Sequence, residues 1–280
     1  MFKILRKKVL SPAVTLMDID APFVAKKAEA GQFIILRVND DGERIPLTIS
    51  DFDREKGTVT IIFQIIGSST AQLGALEEGE YISDFVGPLG RATETEGRKK
   101  VAVVGGGVGC AIALPVAKKL SQQGTEVHSI IGFRNKELVI LEDEFKAVSK
   151  KTVLMTDDGS AGQQGLVTAA LKALIDSGEE YDEVIAIGPL VMMKFVVATT
   201  RPYGIKTTVS MNPVMIDGTG MCGGCRLTVG GKMKFACVDG PDFDGFLVDF
   251  DEAMERNNMY HDFEHHKYEE TCHLLHKEVQ

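Results

Sequence analysis

Between residues 99 and 208 the hydrophobic pattern alternates between two rhythms, and this constrains the fold more than any other feature of the chain. The apolar strand pattern Val101-Ala102-Val103-Val104 runs into Gly105-Gly106-Gly107-Val108-Gly109, then into an apolar helical stretch reaching Leu120. A second strand pattern covers 127–132, and a third ends at Thr156-Asp157-Asp158-Gly159. A helical stretch at 167–175 leads into Val184-Ile185-Ala186-Ile187, followed by Gly188-Pro189. Strands separated by helices pair side by side through crossover connections, which predicts βαβ units and a Rossmann-like parallel sheet.

Residues 1–97 have another character. Short runs such as Phe33-Ile34-Ile35-Leu36-Arg37-Val38 and Thr58-Val59-Thr60-Ile61-Ile62-Phe63 are bounded by Gly, Asp and Asn turn residues. Such spacing predicts a small antiparallel β-barrel. The charged, turn-forming stretch Glu94-Thr95-Glu96-Gly97-Arg98 predicts a hinge. Residues 209–240 are rich in Gly and Cys with little periodicity, a composition that becomes stable when a metal centre holds it together. From about residue 243 the chain is acidic, then His-rich, and reads as helical. The expected organisation is multi-domain, β plus α/β: a barrel at 1–97, a nucleotide domain at 98–208, a cluster domain at 209–250 and a helical tail at 251–280.

The net charge of −9 argues against a nucleic-acid binder, whose affinity needs basic residues against phosphate. No apolar run approaches the roughly 18–20 residues of a membrane span. The N-terminal residues lack the pattern of a signal peptide, so a cytoplasmic location is expected. Five cysteines, an odd number, make a disulfide framework an unsuitable reading.

Three of those cysteines fall in the pattern Asp217-x4-Cys222-x2-Cys225-x11-Cys237. Plant-type [2Fe–2S] centres use Cys-x4-Cys-x2-Cys and a later Cys, because a tight loop must wrap its ligands round a flat cluster. Here Asp217 stands at the first ligand position, and a carboxylate oxygen can also ligate iron. Three thiolates and a carboxylate suit Zn²⁺ as well, although a zinc ribbon usually offers two Cys-x2-Cys knuckles. A second signal is Arg44-Ile45-Pro46-Leu47-Thr48-Ile49-Ser50. Arg44 can pair with a pyrophosphate, and Thr48 or Ser50 can hydrogen-bond a flavin ring, yet the same residues can be an ordinary strand end. Gly67-Ser68-Ser69-Thr70 precedes an expected helix at 71–76, where backbone amides favour phosphate and a plain Ser/Thr cap is equally good local chemistry.

Gly105-Gly106-Gly107-Val108-Gly109 follows a strand and opens a helix, the context in which glycines admit a dinucleotide pyrophosphate. Its spacing departs from the strict Gly-x-Gly-x-x-Gly. Asp157-Asp158-Gly159-Ser160 and Gly188-Pro189 each follow a strand, and strand C-termini are where open α/β sheets bind ligands. For the choice between NAD and NADP the charges conflict: Arg134, beyond the second strand, favours a 2′-phosphate, while Glu137 and Glu142 repel one. In the tail, His261, His265, His266, Cys272, His273 and His276 suggest a partner-docking helix with solvated histidines more than a second metal site.

Taken in order, Arg-x-Pro-Leu-Thr, Gly-Gly-Gly-Val-Gly, Asp-Asp-Gly-Ser, Gly-Pro and a terminal Cys cluster resemble the ferredoxin–NADP reductase superfamily over nearly the whole chain. Within it the chain is similar to the electron-transfer subunits of dihydroorotate dehydrogenase. Asp217, with Pro213-Val214-Met215 and Met221-Cys222-Gly223-Gly224-Cys225-Arg226, is closer to the small subunits of NADH-dependent reduced ferredoxin:NADP⁺ oxidoreductases, also called sulfide dehydrogenase β subunits. The resemblance implies an FAD-binding barrel, with FAD held by Arg44, Pro46, Leu47, Thr48 and Ser50, and with Ile65, Gly67, Ser69 and Thr70 near its phosphates. It implies NAD(H) as substrate at Gly105, Gly106, Gly107, Val108 and Gly109, with Asp157, Asp158, Gly159, Gly188 and Pro189, and a [2Fe–2S] cluster on Asp217, Cys222, Cys225 and Cys237. It further implies a larger partner subunit with its own flavin and [4Fe–4S] clusters, resembling the glutamate synthase small subunit, through which ferredoxin is reached. The competing expectations are a dihydroorotate dehydrogenase subunit and a non-catalytic, zinc-stapled dinucleotide-binding module.

Overall fold

The computed structural model describes the backbone of residues 1–277 and the side chains of residues 1–271. The chain opens with β1 (Phe2–Ser11), β2 (Val14–Asp20), the short helix α1 (Pro22–Ala25), β3 (Phe33–Arg37), β4 (Arg44–Asp53) and β5 (Thr58–Gln64). Helix α2 (Ser68–Ala75), β6 (Tyr81–Ile82) and β7 (Asp84–Leu89) complete this part. All seven strands pair antiparallel in the order β6-β1-β2-β5-β4-β3-β7. The two outermost strands are separated in the chain by Ser83 alone, so the sheet's edges are drawn together and it curls into a barrel. The near-closure brings the two edges together and so limits the exposed strand edge that an open sheet would have to protect. Side chains alternate as the pleat requires: Ile34 and Leu36, then Val59, Ile61 and Phe63, point inward and are almost wholly buried. Truncating any one of them to Ala costs about 2–5 kcal/mol.

The second part holds β8 (Lys100–Gly106), α3 (Cys110–Gln122), β9 (Glu126–Phe133), α4 (Glu142–Val148), β10 (Lys151–Thr156) and β11 (Gln163–Gln164). It continues with α5 (Val167–Asp176), β12 (Glu183–Ile187), α6 (Leu190–Thr200) and β13 (Thr207–Ser210). These strands are parallel, in the order β11-β10-β9-β8-β12-β13. Helices cover both faces, so the residues of β8 from Val101 to Val104 and those of β12 from Val184 to Ile187 are all buried. That is why these strands read as unbroken apolar runs rather than alternating ones. From β8 the chain winds one way to β9 and β10, then returns to the other side of β8 at β12. A crevice therefore opens between the C-terminal ends of β8 and β12.

The third part contains a hairpin, β14 (Arg226–Val229) and β15 (Lys232–Phe235), then α7 (Ala236–Asp239), β16 (Asp242–Asp244), α8 (Phe250–Asn257) and α9 (His261–Lys277). Gly230 and Gly231 join the hairpin strands with φ of 58° and 72°, the positive values a two-residue I′ turn demands. Strand β16 adds antiparallel to β13, sewing this segment to the edge of the parallel sheet. Asp249 caps α8 by accepting from the Glu252 N–H at 3.0 Å. Helix α9 returns to the barrel, where the Thr271 and Ser68 hydroxyls lie 2.6 Å apart. The charged linker expected to be a hinge is tied down: Arg98 Nε meets Glu183 Oε2 at 2.7 Å, and Thr93 and Thr95 are buried. No helix among the described residues is long and apolar enough to cross a membrane.

At the N-terminal ends of the parallel strands, opposite the crevice, sits a charged network. Glu126 receives Lys100 at 3.0 Å and Lys150 at 2.6 Å, and Lys100 also binds Glu179. His128 lies among them with Nδ1 2.9 Å from the Tyr181 hydroxyl and Nε2 3.2 Å from Glu126. The hydrogen bonds from Lys150 and Lys100 hold the Glu126 carboxyl down at about 2. Lys100 lowers Glu179, and burial lowers His128. All three groups titrate lower in the folded chain than in the unfolded one, so their contribution is complete above the unfolded values and is lost on acidification. His128 acts first, as pH falls below 6.5, and the glutamates follow below 4.5, Glu126 down to about 2. Thermal melts are expected to show a falling Tm on acidification, with His128→Gln flattening the portion that begins below about pH 6.5. An unchanged profile in the variant would remove His128 from this account.

Candidate functional site

A cleft of about 440 Å³ occupies the crevice between β8 and β12. Its floor is the glycine turn after β8, with Gly106, Gly107, Val108 and Gly109, and Gly188 and Pro189 after β12 face it. The glycines are required by how closely these two turns approach. A Cβ at Gly109 would lie 2.6 Å from the Ile187 carbonyl oxygen and 2.7 Å from Gly188 Cα. Gly107 has φ +56° and opens onto free space. Gly105 lies deeper, where a Cβ would meet Cys110 Sγ at 2.9 Å, and Cys110 is a fully buried core residue. Its thiol is pushed up by burial and faces no reactant.

Asp157 and Arg134 also line the cleft, from the ends of β10 and β9. Asp158 and Gly159 do not: they stand exposed on the rim in a tight turn. Asp158 Oδ1 accepts from Ser160 N–H at 2.9 Å and from Ser160 Oγ at 2.6 Å, bonds that hold its carboxyl below the usual range. Ser160 Oγ in turn accepts the Lys136 N–H at 2.7 Å. Residues that carried no weight in the sequence also border the cleft, among them Gln64, Met192, Ser210 and Asn212. Asn212 lies just past a strand C-terminus and was accessible to the rule that ligands bind there. Gln64 belongs to the barrel and Met192 to a helix, and only folding brings them in.

On the barrel, Arg44, Pro46, Leu47, Thr48 and Ser50 lie along β4. The first four are partly exposed, whereas Ser50 is buried and its hydroxyl has no partner among the described residues. Arg44 Nε donates to the Ile216 carbonyl at 2.9 Å, reaching the cysteine loop. After β5, Thr70 Oγ1 accepts from the Gly67 N–H at 3.0 Å and donates to the Gly67 carbonyl at 2.9 Å, closing the entrance of α2. The N-cap itself is Gly67, so Thr70, at the third helical position, reaches back to the N-cap backbone rather than being a Ser/Thr cap residue. Ser69 Oγ donates to Glu43 at 3.1 Å. Ile65 turns its side chain under α2, where a Cβ at Gly74 would meet Ile65 Cδ1 at 2.7 Å.

The third element is the cysteine loop. Asp217 accepts N–H bonds from Thr219 and Cys222, each at 2.7 Å, and these hold its carboxyl below the usual range. Cys222 is exposed, while Cys225 and Cys237 are buried with their sulfurs 3.2 Å apart. That separation is far beyond the roughly 2.05 Å of a disulfide. Burial, reinforced by Cys225, pushes the Cys237 thiol up to about 12. Two sulfurs crowded together in a buried site, with a third thiol and a carboxylate on the same loop, are a donor set that a cation would relieve by replacing the protons. Gly218, Gly220 and Gly223 adopt φ of +78°, +84° and +69°, conformations that let the loop fold round such a centre. The donors fit an iron–sulfur cluster.

In the tail, His261, His265 and His266 are exposed beside Asp262, Glu269 and Glu270. The side chains of Cys272, His273 and His276 lie outside the described residues. A nearly closed antiparallel barrel, a doubly wound nucleotide sheet and a thiolate loop together define an iron–sulfur flavoprotein oxidoreductase of the ferredoxin-reductase type.

Residues 212–249 match the iron–sulfur cluster binding domain of dihydroorotate dehydrogenase B. A Thermotoga maritima protein named as a homologue of the dihydroorotate dehydrogenase B (NAD(+)) electron transfer subunit is 44% identical over 267 residues, covering 95% of this chain and 94% of its own. A Clostridium beijerinckii protein, named only for its position in the adh 3′ region, is 51% identical over 268 residues, covering 93% of this chain and 90% of its own. Among solved structures, one of an NADH-dependent reduced ferredoxin-NADP oxidoreductase, described for flavin-based electron bifurcation, superposes with a TM-score of 0.92. Its identity is 42%, covering 97% of this chain and 98% of that one. The chain belongs to the family of electron-transfer subunits that includes those of dihydroorotate dehydrogenase B. Gly109→Ala is expected to cost about 1–3 kcal/mol, because its Cβ meets backbone rather than a yielding side chain. Differential scanning calorimetry would read this as a lowered Tm, and a Tm equal to the parent's would show that the two turns can part freely.

Proposed function

We propose that this chain carries electrons among NAD(H) in the β8–β12 crevice, FAD along β4 and the entrance of α2, and a [2Fe–2S] cluster on Asp217, Cys222, Cys225 and Cys237. The observation that carries the reading is a shared wall. The cleft is bordered by the glycine turn of the nucleotide domain, by Gln64 of the barrel, and by Ser210 and Asn212 on the segment that leads to Asp217. Residues on the segments that lead to the proposed flavin and cluster regions therefore border the nucleotide cleft, which supports a short path between the three.

When bound, FAD exchanges a hydride with a nicotinamide and single electrons with the cluster, which makes it the converter between the two. The chain's own residues hold and orient. Gly106 to Gly109 let a pyrophosphate approach backbone amides at the start of α3. Asp157 and Arg134 place opposite charges at the end of the cleft expected to take the adenosine ribose, while Asp158 is engaged with Ser160. The partly exposed Arg44 supplies positive charge for a pyrophosphate, and the unpartnered Ser50 hydroxyl supports a polar group being seated near it. Hydride transfer needs no side-chain acid or base, and none is assigned.

The complex we assign is a bifurcating NADH-dependent ferredoxin:NADP⁺ oxidoreductase, whose larger subunit carries its own flavin and [4Fe–4S] clusters and meets ferredoxin. Asp217 at the first ligand position and the solved structure matched over nearly the full chain support this choice. The Thermotoga relative's name supports the alternative, a subunit serving orotate chemistry. Copurification distinguishes them: a glutamate-synthase-like flavoprotein is expected, and a (β/α)₈ partner would favour orotate.

Anaerobically purified protein is expected to show flavin and iron–sulfur absorption, with about two irons and one FAD per chain. Zinc without flavin would overturn the assignment. We further expect Asp217→Cys to shift both the EPR spectrum and the midpoint potential of the cluster, since ligand type and charge set that potential. If neither moved, Asp217 would not be a ligand.

A further inference from the structure

The ligand loop does not stand alone, because its first and last ligands are each held from one residue away by an arginine of the barrel. Arg44 Nε donates to the carbonyl of Ile216, immediately before Asp217, at 2.9 Å. Arg91, just past β7, donates from Nε to the carbonyl of Val238, immediately after Cys237, at 3.0 Å. The Arg91 backbone N–H also donates to the Gly240 carbonyl at 2.7 Å. Helix α7, which carries Cys237, is only four residues long, so its C-terminal carbonyls need donors from outside. Arg91 supplies them together with a positive charge at the favoured helix end. Between the two arginines Gly218 presses on the barrel wall: a Cβ there would lie 2.6 Å from Leu89 and 2.9 Å from Ile35. The inner ligand Cys225 is held within its own segment, its carbonyl accepting the Ala236 N–H at 3.1 Å.

We infer that Arg44 and Arg91 are positioning residues, through which the barrel fixes the outer cluster ligands Asp217 and Cys237 and sets how firmly the cluster is kept and how readily it accepts an electron. This rests on the ligand set assigned above. Two physical effects are involved. The hydrogen bonds restrict the backbone beside each ligand, and groups just outside the ligands commonly govern metal retention by about 10–100-fold. The two guanidinium charges also stabilise an added electron, and charge near a cluster is one of the determinants of its potential.

Arg91 is the cleaner probe, since Arg44 also lies in the β4 run assigned to FAD. The full chain, anaerobically purified as Arg91→Ala, Arg91→Gln and Arg91→Lys, would be compared with the parent. Measurements are iron and acid-labile sulfide, the rate of bleaching by a chelator, an EPR-monitored redox titration, FAD content and Tm. Arg91→Ala is expected to lose its cluster about 10-fold faster and to show a lower midpoint potential, with FAD content unchanged. Arg91→Gln, a neutral donor, is expected to recover retention more than potential, and Arg91→Lys the reverse. Parent-like bleaching and midpoint in Arg91→Ala would overturn the inference. So would loss of FAD and a lowered Tm in all three variants, which would make Arg91 a folding residue. A parent chain holding zinc instead of iron would overturn the ligand set itself, and metal analysis would reveal this before any variant was made.

Discussion

Three stretches of chain with different hydrophobic rhythms are brought into register around one hydrogen bond. Thr93, from the linker after the barrel, donates its hydroxyl to Asp242 Oδ2 at 2.5 Å. Asp242 opens β16, which pairs with β13 of the parallel sheet, Ser210 facing Asp242. The next residue along, Met211, donates its N–H to the Pro241 carbonyl at 2.9 Å, and Arg91 reaches Gly240. Barrel, nucleotide sheet and cysteine loop thus share a few residues of backbone. Burial pushes the Asp242 carboxyl up, so the junction is costly to ionise and depends on its hydroxyl partners. The cleft and the ligand loop diverge from this point, which is why Ser210 borders the cleft while the chain beyond it carries the cysteines.

The parallel sheet separates its duties between its two ends. At the strand N-termini, Glu126, His128 and Glu179 form a set resembling a metal site in composition, with lysines around it. The lysines occupy the acceptors, so the set reads as a charge-compensated end of the sheet. At the C-termini charge is sparse, and glycines let two turns meet. Parallel strands align their unpaired ends in this way, and the crossover that reverses direction between β8 and β12 leaves room for a ligand only there.

Much of the candidate site was legible because each part has a local signature. A glycine turn between strand and helix, Cys-x2-Cys with an acidic residue five positions upstream, and Arg-x-Pro at a strand end all depend on short-range geometry. The hairpin at β14 and β15 was less legible, although Gly230-Gly231 is a strong turn signal, because its strands are only four residues each. The neighbouring Asp157 and Asp158 illustrate the limit. They are adjacent in sequence and the same residue type, yet one faces the cleft and the other is folded back on Ser160.

The sequence by itself determined the succession of barrel, parallel sheet and thiolate loop, the glycines of the dinucleotide turn and the four candidate ligands, since periodicity and turn chemistry act over a few residues. Only the tertiary structure decided that Gln64 and Met192 border the cleft, and that Arg44 and Arg91 hold the two ends of the cysteine loop. Those contacts join residues up to 172 positions apart. The partners of the two arginines are backbone carbonyls, which every residue carries, so no pattern of side chains can announce those contacts.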